Sequence, residues 1–136
     1  MAVQAQIRVI YGDTDAMGQV YYGNYLKWFE IGRAEWFREK GMTYHEVEGR
    51  GVYLPVVEAH CFYKKPALYD DLLVIATSFE FSGPVRLRFD YQIMRNGEIL
   101  AFGHTVHVCV NRDRKVLKPP DYLRTVLQSG EETTTQ

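Results

Sequence analysis

Residues Ile10–Gly41, IYGDTDAMGQVYYGNYLKWFEIGRAEWFREKG, decide how the rest of the chain is read. The segment opens as the end of a strand and crosses a turn that carries Asp13 and Asp15. From about Asn24 it takes on the one long helical pattern in the sequence. Apolar or small residues at Tyr25, Trp28, Phe29, Gly32, Trp36 and Phe37 repeat with the i, i+3, i+4, i+7 spacing of one helix face, and both tryptophans fall on it. A face so rich in aromatics needs a broad apolar surface to lie against. The carboxylate of Asp15 stands one short loop before the helix start, where free backbone N–H groups and the helix dipole favour developing negative charge.

Outward from that segment the chain reads as sheet. Upstream, Val3, Ala5, Ile7 and Val9 alternate with Gln4, Gln6 and Arg8, the pattern of a half-buried strand. Downstream, Gly41 suits the C′ position of the helix, with Arg38 and Lys40 in its last turn. Thr43 to Gly51 reads as a short helix or a loop. Val52 to Tyr63 is a strand whose Pro55 implies an edge position or a bulge. Leu72 to Phe81 and Val85 to Met94 are further strands, the second alternating Val85, Leu87, Phe89, Tyr91 and Ile93 against Arg86, Arg88, Asp90 and Gln92. Asn96-Gly97 is a strong hairpin signal, returning the chain as Leu100 to Val110, the last long strand. Pro119-Pro120 precedes a short terminal helix from Asp121 to Leu127. Helix first and hairpin-linked strands after it predict an α+β domain with an antiparallel sheet of about five strands wrapped on one central helix. The domain is expected over residues 1–128, with 129–136 a mobile polar tail.

Composition narrows the function classes. The 136 residues make one domain, and 46% apolar with 24% charged residues is ordinary for a globular protein. The 14% aromatic content, with ten tyrosines, points to large half-buried surfaces or an interface. A formal net charge of −1 argues against a nucleic-acid binder that must neutralise many phosphates. No apolar run reaches the ~20 residues of a membrane span and the N-terminus has no signal-peptide core, so a cytoplasmic protein is expected. Cys61 and Cys109 lie in apolar, strand-like runs without metal or redox spacing and read as buried free thiols. His104 and His107, three apart on one strand, face opposite sides of a sheet and do not make a metal site; His60 shares a strand face with Glu58. No cofactor is expected. By spacing alone, Asp15 is a turn or capping residue, as aspartate commonly is.

The segment Asp13 to Tyr25 closely resembles the signature of the 4-hydroxybenzoyl-CoA thioesterase-like acyl-CoA thioesterases, which have the hotdog fold. The matching features are Asp13 and Asp15 as D-x-D, then Gly18, Val20, Asn24 and Tyr25, followed by the aromatic helix. Pro66 to Asp71 is similar to that family's turn before its central strands. The resemblance runs from about Ile7 to Tyr122. It implies hydrolysis of an acyl-CoA thioester without metal, with Asp15 as nucleophile or general base. The backbone N–H of Tyr22, at the helix start, would polarise the carbonyl, helped by that of Gly23. One branch of the family has histidine where this chain has Tyr22, as the hydroxybenzoyl branch does. Tyr11, Gly23, Asn24 and Tyr25 are the expected substrate-binding residues, with Asn24 also a helix cap or loop anchor and Asp13 a turn stabiliser. Glu30 is the second catalytic candidate, because another hotdog branch uses a helix glutamate. Coenzyme A calls for cations, for which Lys64, Lys65, Arg86, Arg88, Arg112 and Arg114 are available. A homodimer or homotetramer is expected, with the site at the dimer interface. Two other readings stay open: a non-catalytic acyl-binding protein of the same fold, and a Mg²⁺-dependent D-x-D phosphatase, which would need a parallel βα repeat.

Overall fold

The computed structural model describes residues 2–131. Strand β1 (Val3–Arg8) leads through a single turn of 3₁₀ helix at Tyr11–Asp13 into helix α1 (Asn24–Glu39). A short helix α2 (Tyr44–Gly49) follows, then strands β2 (Val56–Tyr63), β3 (Leu72–Phe81), β4 (Arg86–Arg95) and β5 (Glu98–Val110). A two-residue strand β6 (Val116–Leu117) and helix α3 (Asp121–Ser129) complete the chain. The strands lie in the order β1-β3-β4-β5-β2, all antiparallel, with β6 beside β5. Helix α1 touches β1 and β2, at opposite ends of that order, as well as β3 and β4 between them. One helix reaches both outer strands only if the sheet bends round it, which is the wrapped arrangement expected from sequence.

Local chemistry explains the elements. Thr43 and Glu46 form a reciprocal capping box that settles 44–49 as helix rather than loop. Asn96 and Gly97 take φ of 52° and 80°, the left-handed pair of a tight hairpin turn. Pro55 precedes an irregularity between Val56 and Glu58 at the start of β2, the outer strand. The sixth strand is an addition to the expected five. Asn111 reverses the chain by accepting from the N–H groups of Asp113 and Lys115, and two residues cannot show the alternation by which strands are read.

All six face residues of α1 are buried, and Trp36, Phe37 and Phe29 are fully so, each contributing roughly 1.5–3 kcal/mol of apolar burial. Phe29 stacks flat on Tyr91 at 4.3 Å between centroids, and Trp36 meets Phe79 and Phe89 at 5.5 and 5.4 Å. Gly32 sets how close the helix comes to the sheet. A Cβ there would lie 2.4 Å from Thr77 Oγ1 and 2.8 Å from Ile75 Cγ2. Gly103 does the same within the sheet, since a Cβ at that position would sit 2.0 Å from the His60 carbonyl oxygen on β2. Helix α3 buries Leu123 and Leu127, and Glu131 continues the contact through a bridge to Phe79 and a carboxylate accepting from Phe81 N–H at 3.2 Å. Residues 129–131 are therefore held against the sheet rather than forming the start of the expected tail; 132–136 lie outside the described residues.

Inside the wrap runs a polar chain that the helical pattern did not reveal. Arg33 is buried among the aromatics of α1, donating from Nε to Tyr44 Oη at 2.6 Å and from Nη1 to Tyr91 Oη at 3.0 Å. Tyr91 Oη is 2.6 Å from Thr105 Oγ1, which is 2.9 Å from His107 Nε2, and His107 Nδ1 is 3.0 Å from the Leu54 carbonyl. The Leu54 carbonyl can only accept, so His107 carries its proton on Nδ1, and in the neutral ring Nε2 is left to accept. Tyr91 donates to Thr105, Thr105 to His107 Nε2, and the Nδ1–H of His107 to Leu54. Burial, followed by the nearby Arg33 charge, keeps His107 in that neutral form, pushing its pKa down to about 4. His104 faces the other side, stacked on His60 across the strand pair at 5.7 Å. Both cysteines are free, and burial raises both thiols, Cys109 to about 11.

Two outcomes follow from this packing. Gly32→Ala should lower unfolding free energy by about 1–3 kcal/mol through overpacking, whereas Gly49→Ala, with open space around it, should be neutral or slightly stabilising in the same urea titration. The unfolded chain protonates His107 near pH 6.5 and the folded chain near 4, so the unfolded state binds more protons between those values. Stability should then fall as pH drops from 6.5 toward 4, by roughly 3 kcal/mol in all, and a His107→Asn variant should lack that share of the slope.

Candidate active site at the start of the long helix

The loop between β1 and α1 is tied down by Asp13. Its Oδ2 accepts from Ile10 N–H at 3.2 Å, and its carbonyl accepts from both Tyr21 N–H and Asn24 Nδ2 at 2.9 Å. Lys27 Nζ lies 3.3 Å from its Oδ1. Asp13 is buried and stabilises the turn, while the Asn24 side chain is committed to that loop. Gly23, not Asn24, occupies the helix N-cap.

Residues 14–20 form a small hairpin. Thr14 pairs with Val20, Asp15 N–H donates to the Gln19 carbonyl at 2.8 Å, and Gly18 closes the turn at φ 79°. Val20 N–H donates to the Ala67 carbonyl at 2.9 Å, stapling the hairpin to the turn before β3. Asp15 is half-buried, and its Oδ1 accepts from Met17 N–H at 2.9 Å, an Asx turn that orients the carboxylate. Its Oδ2 has no protein donor among the described residues.

Beyond the hairpin the backbone enters α1. The N–H groups of Tyr22 and Gly23 meet no protein acceptor among the described residues, although Tyr21, Asn24 and Tyr25 N–H all have one. Two amides at the positive end of a 16-residue helix are thus left as donors. The Tyr22 carbonyl is fixed from the other side, accepting from Tyr63 Oη at 3.0 Å. Burial, followed by a contact with Cys61, raises the Tyr63 phenol pKa, so that group remains a neutral donor. A Cβ on Gly23 would fall 2.7 Å from the Tyr21 ring.

A cleft of about 240 Å³ opens beside these amides, with Tyr22, Tyr25 and Tyr63 on its aromatic side and Gln19, Lys64 and Lys65 on its polar side. Tyr25 is buried at the floor, its Oη accepting from Ala67 N–H at 3.1 Å. Lys65 pairs with Glu98, while Lys64 has no acidic partner among the described residues. Of the residues expected from sequence, Tyr22 and Tyr25 line the cleft, whereas Gly23 and Asn24 are not among its lining residues and belong to the start of the helix behind Tyr22. Asp15 is not among the lining residues; it stands on the hairpin opposite Gln19, which is. Tyr11 also lies outside, 78% exposed with its ring edge-on to Tyr69 at 5.9 Å. Tyr63 was not anticipated, because only the fold carries it across 41 residues to Tyr22.

One helical turn further along the same seam, a groove of about 270 Å³ runs between α1 and β2, with Leu26, Glu30 and Arg33 on one wall and Val56 and Ala59 on the other. A larger hollow of about 880 Å³ lies beside α2, near Tyr53, Arg112 and Arg114. No helix among the described residues is long and apolar enough to cross a membrane.

Residues 9–127 match the model of the Thioesterase-like superfamily. A relative from Bacillus subtilis, provisionally named acyl-CoA thioesterase YneP, is 36% identical over 115 residues, covering 84% of this chain and 82% of its own. A 1,4-dihydroxy-2-naphthoyl-CoA hydrolase from Synechococcus elongatus is 30% identical over 128 residues, covering 92% of this chain and 94% of its own. The solved structure of a gentisyl-coenzyme A thioesterase superposes with a TM-score of 0.84 at 31% identity, covering 90% of this chain and 99% of that one.

Proposed function

This chain belongs to the Thioesterase-like superfamily of hotdog proteins, and from that premise we propose that it is an acyl-CoA thioesterase that hydrolyses an acyl-CoA to the free acid and coenzyme A. The observation that carries the proposal is the pair of unpartnered N–H groups at Tyr22 and Gly23, beside a cleft at the head of α1. A thioester carbonyl oxygen seated there gains negative charge as its carbon is attacked. Fixed donors aimed at that oxygen are each typically worth ~2.7–4 kcal/mol of barrier. The Tyr63–Tyr22 hydrogen bond holds the peptide that presents them.

Asp15 supplies the attack, either directly through its unpartnered Oδ2, giving an anhydride that water then opens, or by taking a proton from water as it adds to the carbonyl carbon. In both routes the carbon–sulfur bond breaks, and the coenzyme A thiolate leaves and takes up a proton. The half-buried, Asx-oriented carboxylate and its place in the family signature support this role. Tyr11, on the same loop, is a candidate for the outer rim of the acyl or pantetheine path. Lys64 and Lys65 at the cleft mouth suit the phosphates of coenzyme A.

Strand β2 supports the dimer in this reading. It is paired on one edge only and presents Val56, Val57, Phe62 and Tyr63 to solvent, so a second copy pairing along it would cover the edge and close the α1–β2 seam. The D-x-D phosphatase reading does not survive the topology, since all strand pairs are antiparallel and no βα repeat exists among the described residues. The non-catalytic acyl-binding reading is separated by one variant. Asp15→Asn should cut kcat for thiol release by ~10²–10⁴-fold across a panel of acyl-CoAs while leaving KM within a few-fold. Turnover equal to that of the parent protein would remove Asp15 from the mechanism. Absence of thiol release by the parent on every acyl-CoA would favour the binding protein.

A further inference from the structure

The face of the sheet turned away from α1 carries a pair of histidines that the proposed reaction does not use. His60 on β2 and His104 on β5 stand directly opposite each other in the antiparallel register. Their rings lie 5.7 Å apart between centroids, with 20° between their planes. His60 is exposed and His104 half-buried. His107, on the inner face, spends both ring nitrogens on protein partners. The ring nitrogens of His60 and His104 meet no protein partner among the described residues. The neighbouring carboxylates on that face are already committed. Asp90, opposite His104 on β4, is held by Arg88 at 3.0 Å, and Glu58, two residues before His60 on β2, is held by Arg86. Two charge pairs therefore flank two imidazoles that are left over.

Neutral imidazole is the commonest protein ligand for borderline divalent ions, and two of them on paired strands make a chelate. Side chains directly opposite in an antiparallel pair have Cβ atoms ~4.5–5.5 Å apart and stand on one side of the sheet, so both rings can address one ion. Two imidazoles sharing an ion at ~2.0–2.1 Å per bond hold their ring centres roughly 4.5–5 Å apart. The 5.7 Å found here closes to that spacing by small rotations, because χ2 of histidine is broad. The strands themselves are held firmly at this level. Phe62 and Phe102, the next opposed pair, stack at 5.3 Å, and a Cβ on Gly103 would fall 2.0 Å from the His60 carbonyl oxygen. No third ligand from histidine, cysteine, aspartate or glutamate joins the pair among the described residues, so water would fill the other positions of the ion. Hard cations such as Mg²⁺ ask for oxygen ligands, and the carboxylates nearby are taken. A second copy pairing along the β2 edge would leave this face open, since strand side chains stand perpendicular to the sheet.

We propose that His60 and His104 form a chelating site for a borderline divalent transition-metal ion of the Ni²⁺ or Zn²⁺ kind, separate from the cleft at the head of α1. An ion held there ties the outer strand β2, which also carries Tyr63, to its neighbour β5. The site is tested by titration calorimetry of the full chain, freed of metal and carrying no affinity tag, with NiCl₂ and ZnCl₂, and with MgCl₂ as the hard-cation control. One Ni²⁺ or Zn²⁺ should bind per chain, and Mg²⁺ should not. His60→Ala and His104→Ala should each weaken binding by ~10²-fold, the loss of the second arm of a bidentate ligand, whereas His45→Ala should leave it unchanged. Ring ¹H–¹³C spectra of the unaltered protein answer the same question without a substitution: Zn²⁺ should shift the His60 and His104 signals together and leave those of His107 in place. Bound Zn²⁺ should also raise the Tm of the parent protein and not that of His60→Ala. Absence of binding, an affinity that survives the loss of either histidine, or Zn²⁺-induced shifts confined to His45 would overturn the proposal.

Discussion

The contact of α1 with β3 at Gly32 is the constraint on which the rest of the molecule depends. With no side chain at that position, the helix settles onto Thr77 and Ile75, and Phe29, Trp36 and Phe37 fill the space on either side. A helix clamped along that length cannot pivot, so its first turn stands at a fixed place relative to the sheet. The donors at Tyr22 and Gly23 are therefore set in position before any ligand arrives, and in the proposed reaction that preorganisation would make electrostatic stabilisation effective, since little reorganisation would be required. Asp13 and Asn24 extend the same rigidity backward into the loop that carries Asp15. Close packing at one end of the helix and free hydrogen-bonding capacity at the other are two aspects of one arrangement.

The sequence was most legible where a period was long enough to be counted. The face of α1 and the alternation of β4 come from repeating geometry, and the structure has both within a residue of where the pattern put them. The Asn96-Gly97 turn was readable because its left-handed pair of φ angles narrows the choice of residues. Legibility failed where a role depends on a distant partner. Arg33 interrupts an apolar face and is buried only because Tyr44 and Tyr91 supply oxygens 11 and 58 residues away. Tyr63 reaches the Tyr22 peptide through the pairing of β2 with β5, which no local pattern encodes. Strand β6 was too short to show alternation, and the tail boundary moved because Glu131 finds an exposed strand edge at Phe79. Within the candidate site, motif and helix start were legible, whereas the distinction between residues facing the cleft and residues holding it was not.

The α1–β2 seam gathers two features usually kept apart. At its head are backbone donors that meet no acceptor among the described residues, and about three turns on lies the buried guanidinium of Arg33. The chain of hydrogen bonds from Arg33 to His107 holds the guanidinium as firmly as the clamp at Gly32 holds the helix. A second copy along β2 would cover the open side and exclude water from both.

The central claim, that the Tyr22 and Gly23 amides receive the acyl carbonyl, is tested most directly by amide NMR of the full chain titrated with a non-hydrolysable ketone analogue of an acyl-CoA. The account predicts that the amide protons of Tyr22 and Gly23 shift downfield and exchange more slowly on binding, while the already bonded amides of Tyr21 and Asn24 change far less. Unaltered Tyr22 and Gly23 resonances, with the ligand-induced shifts gathered instead around Arg112 and Arg114, would contradict it.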